Sequence, residues 1–108
     1  KSDILLALTE EAMIKYKSEL KEDGLLIIDS SINEPDGPFR VISAPIIKTA
    51  QEIVGKSIVA NIVALGTLVA ATNIVSKESI EKAILARVPA GTEELNKKAL
   101  YEGFNLAI

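Results

Sequence analysis

The stretch "SIVANIVALGTLVAATNIVS", residues 57–76, carries no charge between Lys56 and Lys77. It is about the length of a bilayer span, so it must cross a membrane, fill a core or meet a partner chain. On a helix advancing about 100° per residue, Ala60, Ala64, Thr67 and Ala71 form a narrow small-residue stripe. Ile58, Ile62, Leu65 and Val69 form the opposite, bulky stripe. Val59, Val63, Gly66 and Ala70 line one flank, and Asn61, Leu68 and Thr72 the other. No side is left for water, which predicts a helix buried all round. Asn61, Thr67, Thr72 and Asn73, a helix stop near 73 and the lack of aromatic or basic flanks argue against a membrane. The expectation is a core helix pressed between its own sheet and a second surface supplied by another subunit. The small stripe would permit close backbone approach there. A buried amide at Asn61 needs hydrogen-bond partners, either neighbouring backbone or a subunit or ligand contact.

With 108 residues the chain is one domain at most. Aromatics are scarce (Tyr16, Phe39, Tyr101 and Phe104), so Ile, Leu, Val and Ala must carry the packing. A net charge of −3, with Arg40 and Arg87 the only arginines and neither in a basic run, argues against nucleic acid. There is no cysteine and no histidine. That excludes disulfides, thiolate metal sites, iron–sulfur ligation by these residues and histidine-based acid–base or nucleophilic schemes. The composition fits a cytoplasmic protein, and the first residues lack a signal-peptide pattern.

"DILLAL", residues 3–8, reads as a strand buried on both faces. Thr9 can cap a helix whose first turn holds Glu10 and Glu11, with Ala12, Met13, Tyr16 and Leu20 on its apolar side. "KEDG" is expected to close that helix, Gly24 supplying a left-handed residue. "LLIID", residues 25–29, is a second two-sided strand, making a βαβ unit with parallel strands. A turn-rich loop, "SSINEPDGPF", leads to a third strand at 40–44. Pro45 suits a first helical turn, and helices are expected over 46–54, 57–72, 77–88 and 92–103. Ser76 caps the third of these, with Val75 and Ile80 at staple spacing. The fold class is therefore α/β, a partial three-layer-type domain with a short, mostly parallel sheet and a helical C-terminal half. Three such strands need cover on both faces, so residues 1–108 are expected to be one domain forming the C-terminal portion of a larger one.

The charged and polar groups offer little chemistry. Asp29 ends a strand where dinucleotide-binding folds place a ribose-binding acid, but the turn after the first strand is "LTEE", whose glutamates would repel a pyrophosphate. Asp29 is then a turn or cap residue. Gly91 to Glu94 could hold an anion at a helix start, yet Glu93 and Glu94 neutralise that end and Thr92 is expected to cap it. Asp3, Glu10, Glu11, Asp29 and Glu34 match no cation-binding spacing. Lys77, Glu78, Glu81 and Lys82 read as a solvated helix face with i,i+4 pairs.

The segment "VANIVALGTLVAATNIVSKESIEKAILARVPAGTEELNKKALYEGF" resembles the C-terminal half of the gamma subunit of 2-oxoacid:ferredoxin oxidoreductases. The matching positions are Asn61 with Ala64, Leu65 and Gly66, then Val75, Ser76, Glu78, Ile80, Glu81 and Ala83. Gly91, Thr92, Glu94, Leu95, Asn96 and Ala99 complete the set. Upstream, "DILLALTEEAMIKYKSELKEDGLLIIDSS" and "ISAPIIKTAQEIVG" resemble that family's strand–helix–strand and strand–Pro–helix–Gly elements. The family's glycine-rich GxGGQG turn and RGG segment have no counterpart here, so no coenzyme A contact is carried over from them.

The resemblance implies an accessory subunit of a complex that oxidatively decarboxylates a 2-oxoacid with coenzyme A and passes electrons to ferredoxin. Within that family the present sequence looks most like 2-oxoglutarate enzymes, with pyruvate and branched-chain oxoacids open. It implies alpha and beta partner subunits and a ferredoxin-like delta subunit, with thiamine diphosphate, magnesium and iron–sulfur clusters held in those partners. It assigns this chain no catalytic, cofactor-binding or metal-ligating residue. The expected interface residues are Asn61, Ala64, Gly66 and Thr67. The competing readings are a dehydrogenase-type nucleotide-binding half-domain and a self-assembling structural domain.

Overall fold

The computed structural model describes residues 1–107, the side chain of Ser57 excepted. The chain divides into two compact units that meet in sequence between Pro45 and Ile46.

The first unit is a parallel three-stranded sheet in the order β1 (Ser2–Ala7), β2 (Leu20–Asp29), β3 (Arg40–Ala44), with α1 (Glu10–Tyr16) joining the first two. Residues alternate across each strand, and both sides of β2 are buried. Leu26 and Ile28 pack with Ala7, Met13, Leu20 and Ile32, supported by Leu5, Phe39 and Val41. The opposite side carries the registered row Leu6, Ile27 and Ile42. The Thr9 hydroxyl accepts from the Ala12 amide at 3.2 Å, capping α1 as expected.

The end of α1 departs from the expectation. The helix stops at Tyr16, a tight turn follows at Lys17–Glu19, and "KEDG" lies inside β2. Pairing jumps there from Ser2 with Leu20 to Ile4 with Leu25, so the second strand bulges past the first. Lys21 Nζ reaches Asp3 Oδ1 at 2.9 Å across this step. Gly24 sits in a crowded position, since a Cβ there would stand 2.6 Å from Leu20 Cδ1 and 3.0 Å from the Asp3 carbonyl. The positive backbone angles belong instead to Gly55, Gly91 and Asn73.

The second unit is helical: α2 (Ile46–Lys48) continuing as a π-helix (Thr49–Val54), a 3-10 turn at Ser57–Val59, then α3 (Ala60–Thr72), α4 (Lys77–Leu85) and α5 (Glu93–Leu106). Gly55, at φ 98°, ends the π-helix by donating its amide to Ala50 at 2.9 Å. Asn73, at φ 54°, ends α3 in the same way through the Val69 carbonyl. The Ser76 hydroxyl caps α4 by accepting from the Ser79 amide at 3.0 Å. Val69, Ile84, Leu100 and Phe104 form the apolar centre, with Ile62, Leu65, Ile80 and Val88 packed around it. Among the described residues no helix is long and apolar enough to cross a membrane.

Candidate functional site

The two sides of α3 do different work. Val63, Ala64, Gly66, Thr67 and Val69 are buried, and the backbones of α3 and α5 meet at a pair of glycines. A Cβ on Gly66 would stand 3.1 Å from the Gly103 Cα, and one on Gly103 would stand 3.0 Å from the Gly66 Cα. The Thr67 hydroxyl is within donating distance of the Val63 carbonyl, 3.0 Å, and the Gly103 carbonyl, 3.1 Å. Three of the four expected interface residues, Ala64, Gly66 and Thr67, are thus enclosed within the chain, with α5 seated on the glycine and threonine. Asn61, the fourth, is exposed, its Oδ1 accepting from the Ile62 amide at 3.0 Å.

Within this chain α3 is therefore not buried all round, and the expected second surface is not supplied by the described residues. Small residues let α5 approach one side of α3 closely, while along the bulky stripe burial falls from Val69, in the apolar centre, through Leu65 and Ile62 to Ile58. Ile58 is 82% exposed, while Ile62 and Leu65 are half-buried. The uncovered stripe lines two adjoining hollows of about 320 and 300 Å³, which share Ile62, Arg87 and Val88. The first continues over Ile58, Asn61, Pro89 and Leu95, the second over Leu65, Ile80 and Ile84. Among the described residues Arg87 is the one charged residue in either lining. A larger hollow in the first unit, about 450 Å³, opens among Lys1, Ser2, Ser18 and Glu19, all exposed.

The α4 charges do not form the expected i,i+4 pairs among the described residues. Lys77 Nζ instead sits 5.1 Å from the centroid of the Phe104 ring. Glu81 accepts from the Tyr101 phenol, and that hydrogen bond holds the Tyr101 pKa above its ordinary value. Among the described residues the Oε1 of Glu81 is buried without a hydrogen-bond partner.

Asp29 is a turn residue: its Oδ2 accepts from the Ser31 amide at 3.0 Å and its carbonyl from Ile32 at 3.0 Å. Thr92 does not cap α5 with its side chain. Its hydroxyl donates to the Pro89 carbonyl at 2.6 Å, and Glu93 accepts from the Gly91 amide at 2.7 Å, so the exposed amide there is already engaged. Among the described residues no three acidic side chains gather into a set able to hold a metal ion. Without cysteine or histidine the residues present do not fit an iron–sulfur cluster. Ile58, Ile62 and Arg87 were not singled out by the sequence as a surface. The bulky stripe was visible, but its exposure depends on how closely α5 approaches the opposite side.

The family model for pyruvate ferredoxin/flavodoxin oxidoreductase matches residues 1–106. With that match over a parallel α/β unit and a helical unit, the chain belongs to the pyruvate ferredoxin/flavodoxin oxidoreductase family. It is 44% identical, over 99% of its length, to the 2-oxoglutarate synthase subunit KorC of Methanocaldococcus jannaschii, covering 59% of that protein. The chain therefore spans about three fifths of the length of the curated relatives it matches. The gamma subunit of a keto/oxoacid ferredoxin oxidoreductase from Geobacter sulfurreducens superposes with a TM-score of 0.94 at 51% identity, over 99% of this chain and 62% of that one. A 2-oxoglutarate:ferredoxin oxidoreductase from Magnetococcus marinus, solved with 2-oxoglutarate, coenzyme A and succinyl-CoA bound, shares the fold. Its TM-score is 0.78 at 23% identity, over 99% of this chain and 20% of that one.

Proposed function

We propose that the chain is the later part of an accessory gamma-subunit domain in a 2-oxoacid:ferredoxin oxidoreductase acting on 2-oxoglutarate. In this reading it completes a cytoplasmic complex that oxidatively decarboxylates the oxoacid with coenzyme A and delivers electrons to ferredoxin. Alpha and beta subunits, with a ferredoxin-like delta subunit, supply thiamine diphosphate, magnesium and the iron–sulfur clusters. The observation that carries the reading is the 44% identity, along 99% of the chain, to a protein named as a subunit of 2-oxoglutarate synthase.

Physical chemistry supports the division of labour. Electron relay needs cluster ligands, and a chain with no cysteine or histidine offers none of the usual donors. What it offers instead is an apolar helical surface around Ile58, Asn61 and Ile62, of the kind that joins polypeptides. The test is to produce the full reading frame with its partner subunits and assay coenzyme A-dependent reduction of ferredoxin by several 2-oxoacids. The reading expects turnover by the assembled complex with 2-oxoglutarate preferred, and none by this polypeptide alone. Turnover by the isolated polypeptide, or a complex that prefers pyruvate, would contradict it.

A further inference from the structure

The helical segment that opens the second unit does not bury the residue an α-helix would bury. Ile46, Thr49, Ala50 and Ile53 stand at i, i+3, i+4 and i+7, the spacing that gives a helix one apolar side. At about 100° per residue, Ile53 falls within about 20° of Ile46, in the middle of that side, and Val54 at its margin. The structure keeps Ile46, Thr49 and Ala50 buried but turns Ile53 outward, 54% exposed, and seats Val54 in the core at 9%. The π turn over Thr49–Val54 is the cause. Hydrogen bonds that close five residues back instead of four add one residue to the turn, and the buried seat passes from 53 to 54.

The end of the segment shows what holds this register. The Gly55 and Lys56 amides both donate to the Ala50 carbonyl at 2.9 Å. An α-helix ended by a left-handed residue at 55 would direct the Lys56 amide to residue 51 instead, so the segment carries one residue more than that ending needs. Gly55 takes φ 98°, and a Cβ there would meet nothing within 4 Å, so conformation and not space asks for glycine. With Ile53 seated by an α turn, the same ending would make Val54 the left-handed residue, and a β-branched side chain resists positive φ. Two adjacent apolar side chains thus compete for one seat, and the glycine decides between them.

We propose that residues 49–55 form a two-register device, a π register that seats Val54 and an α register that seats Ile53, with Gly55 selecting the first. A slip to the α register moves Val54 out of the helix and lengthens the link to α3 by one residue. The segment packs on α3 and α5, so the slip also exchanges a valine for the larger isoleucine in the core of the second unit. The device stands independently of the reading of the chain as an accessory subunit.

Thermal unfolding of the full-length protein and its variants tests this. Deleting Gln51, an exposed residue of the turn, removes the surplus and lets Val54 take the α seat with Gly55 still behind it. The melting temperature should stay at the wild-type value or rise. Deleting Ala70 from α3, an ordinary α-helix without a surplus residue, should lower it by about 10 °C or more. A second set moves the glycine by one place: Val54→Gly combined with Gly55→Val should hand the seat to Ile53. Ile53→Ala should then lower the melting temperature several-fold more in that background than in the wild type. Circular dichroism of each variant reports whether the helices are kept. A Gln51 deletion as damaging as the Ala70 deletion overturns the proposal, and so does an equal effect of Ile53→Ala in the two backgrounds. Should the moved-glycine protein not fold, the two deletions decide the matter between them.

Discussion

Thr67 and Gly103, 36 residues apart in sequence, are joined by a buried hydrogen bond from the threonine hydroxyl to the glycine carbonyl at 3.1 Å. That bond can form because Gly66, beside Thr67, and Gly103 bring the backbones of α3 and α5 nearly into contact. The same closeness explains why a charge-free helix has a sealed side and an open side. Everything proposed about the open side depends on this crossing being fixed.

Alanine at Gly66 or Gly103 puts two effects in opposition. Helix propensity favours alanine by about 1 kcal/mol. Against it, the new Cβ would collide with the Leu100 carbonyl from Gly66, or with the Val63 carbonyl from Gly103, and backbone on a packed helix cannot yield as a side-chain tip can. Overpacking of this kind costs roughly 1–3 kcal/mol and sometimes more, so each variant should lose stability by about 2 kcal/mol. Urea denaturation of the wild type and both variants checks this.

Thr67→Val keeps the shape and removes the hydroxyl. Loss of one buried hydrogen bond should cost about 1 kcal/mol. Thr67→Ser, which keeps the donor, should cost less. The comparison is a thermal melt of the three proteins, and equal stability of the valine variant would show that the bond contributes nothing net.

Ser76 holds the first turn of α4 through the Ser79 amide, and the Ser76 and Ser79 hydroxyls lie 2.8 Å apart. Ser76→Ala should lower stability by about 1 kcal/mol, the usual worth of an N-cap. Thr92→Ala should not show a cap loss of that kind, because the Thr92 side chain makes no capping hydrogen bond. Denaturation curves of the two variants separate the cases.

The Lys21–Asp3 contact gives a pH signature. The hydrogen bond from Lys21, and then its charge, hold the Asp3 carboxyl below its ordinary 3.8, while Asp3 raises Lys21 above its ordinary 10.5. A depressed carboxylate contributes stability that is present above 3.8 and is lost as pH falls through the lowered value. A raised lysine contributes below 10.5 and loses its share as pH rises through the higher value. The pair therefore acts across the window between these limits, weakened by solvent and salt because both groups are exposed. An NMR titration should show the Asp3 pKa rising towards its ordinary value in Lys21→Met.

The sequence carried the strands and the helix starts further than it carried the boundaries between them. "LLIID" announces itself because both faces of a central strand must be apolar, "DILLAL" and "RVISA" are short apolar runs in the partly buried strands on either side, and Thr9 and Ser76 sit at helix starts where a hydroxyl is useful. The bulge through "KEDG" was hidden, because it is defined by the pairing with β1, where the register jumps between Ser2 and Ile4, and not by local turn chemistry. The π-helix over Thr49–Val54 has no signature in "TAQEIV". For α3, apolar residues on every side leave hydropathy without a direction. What orients the helix is volume: Gly66 and Thr67 face α5, and Ile58, Ile62 and Leu65 are left for something larger. Of the four expected interface residues, Ala64, Gly66 and Thr67 are buried within the chain and Asn61 is exposed, a difference that hydropathy alone does not foretell.

The most direct measurement is hydrogen exchange of the full-length protein, free and within the assembled oxidoreductase. Peptides covering 58–66 and 84–92 should exchange more slowly in the complex, while 97–106, along the sealed crossing, should be unchanged. Equal exchange of 58–66 and 84–92 in the two states would contradict the assignment of the open face of α3 to a partner.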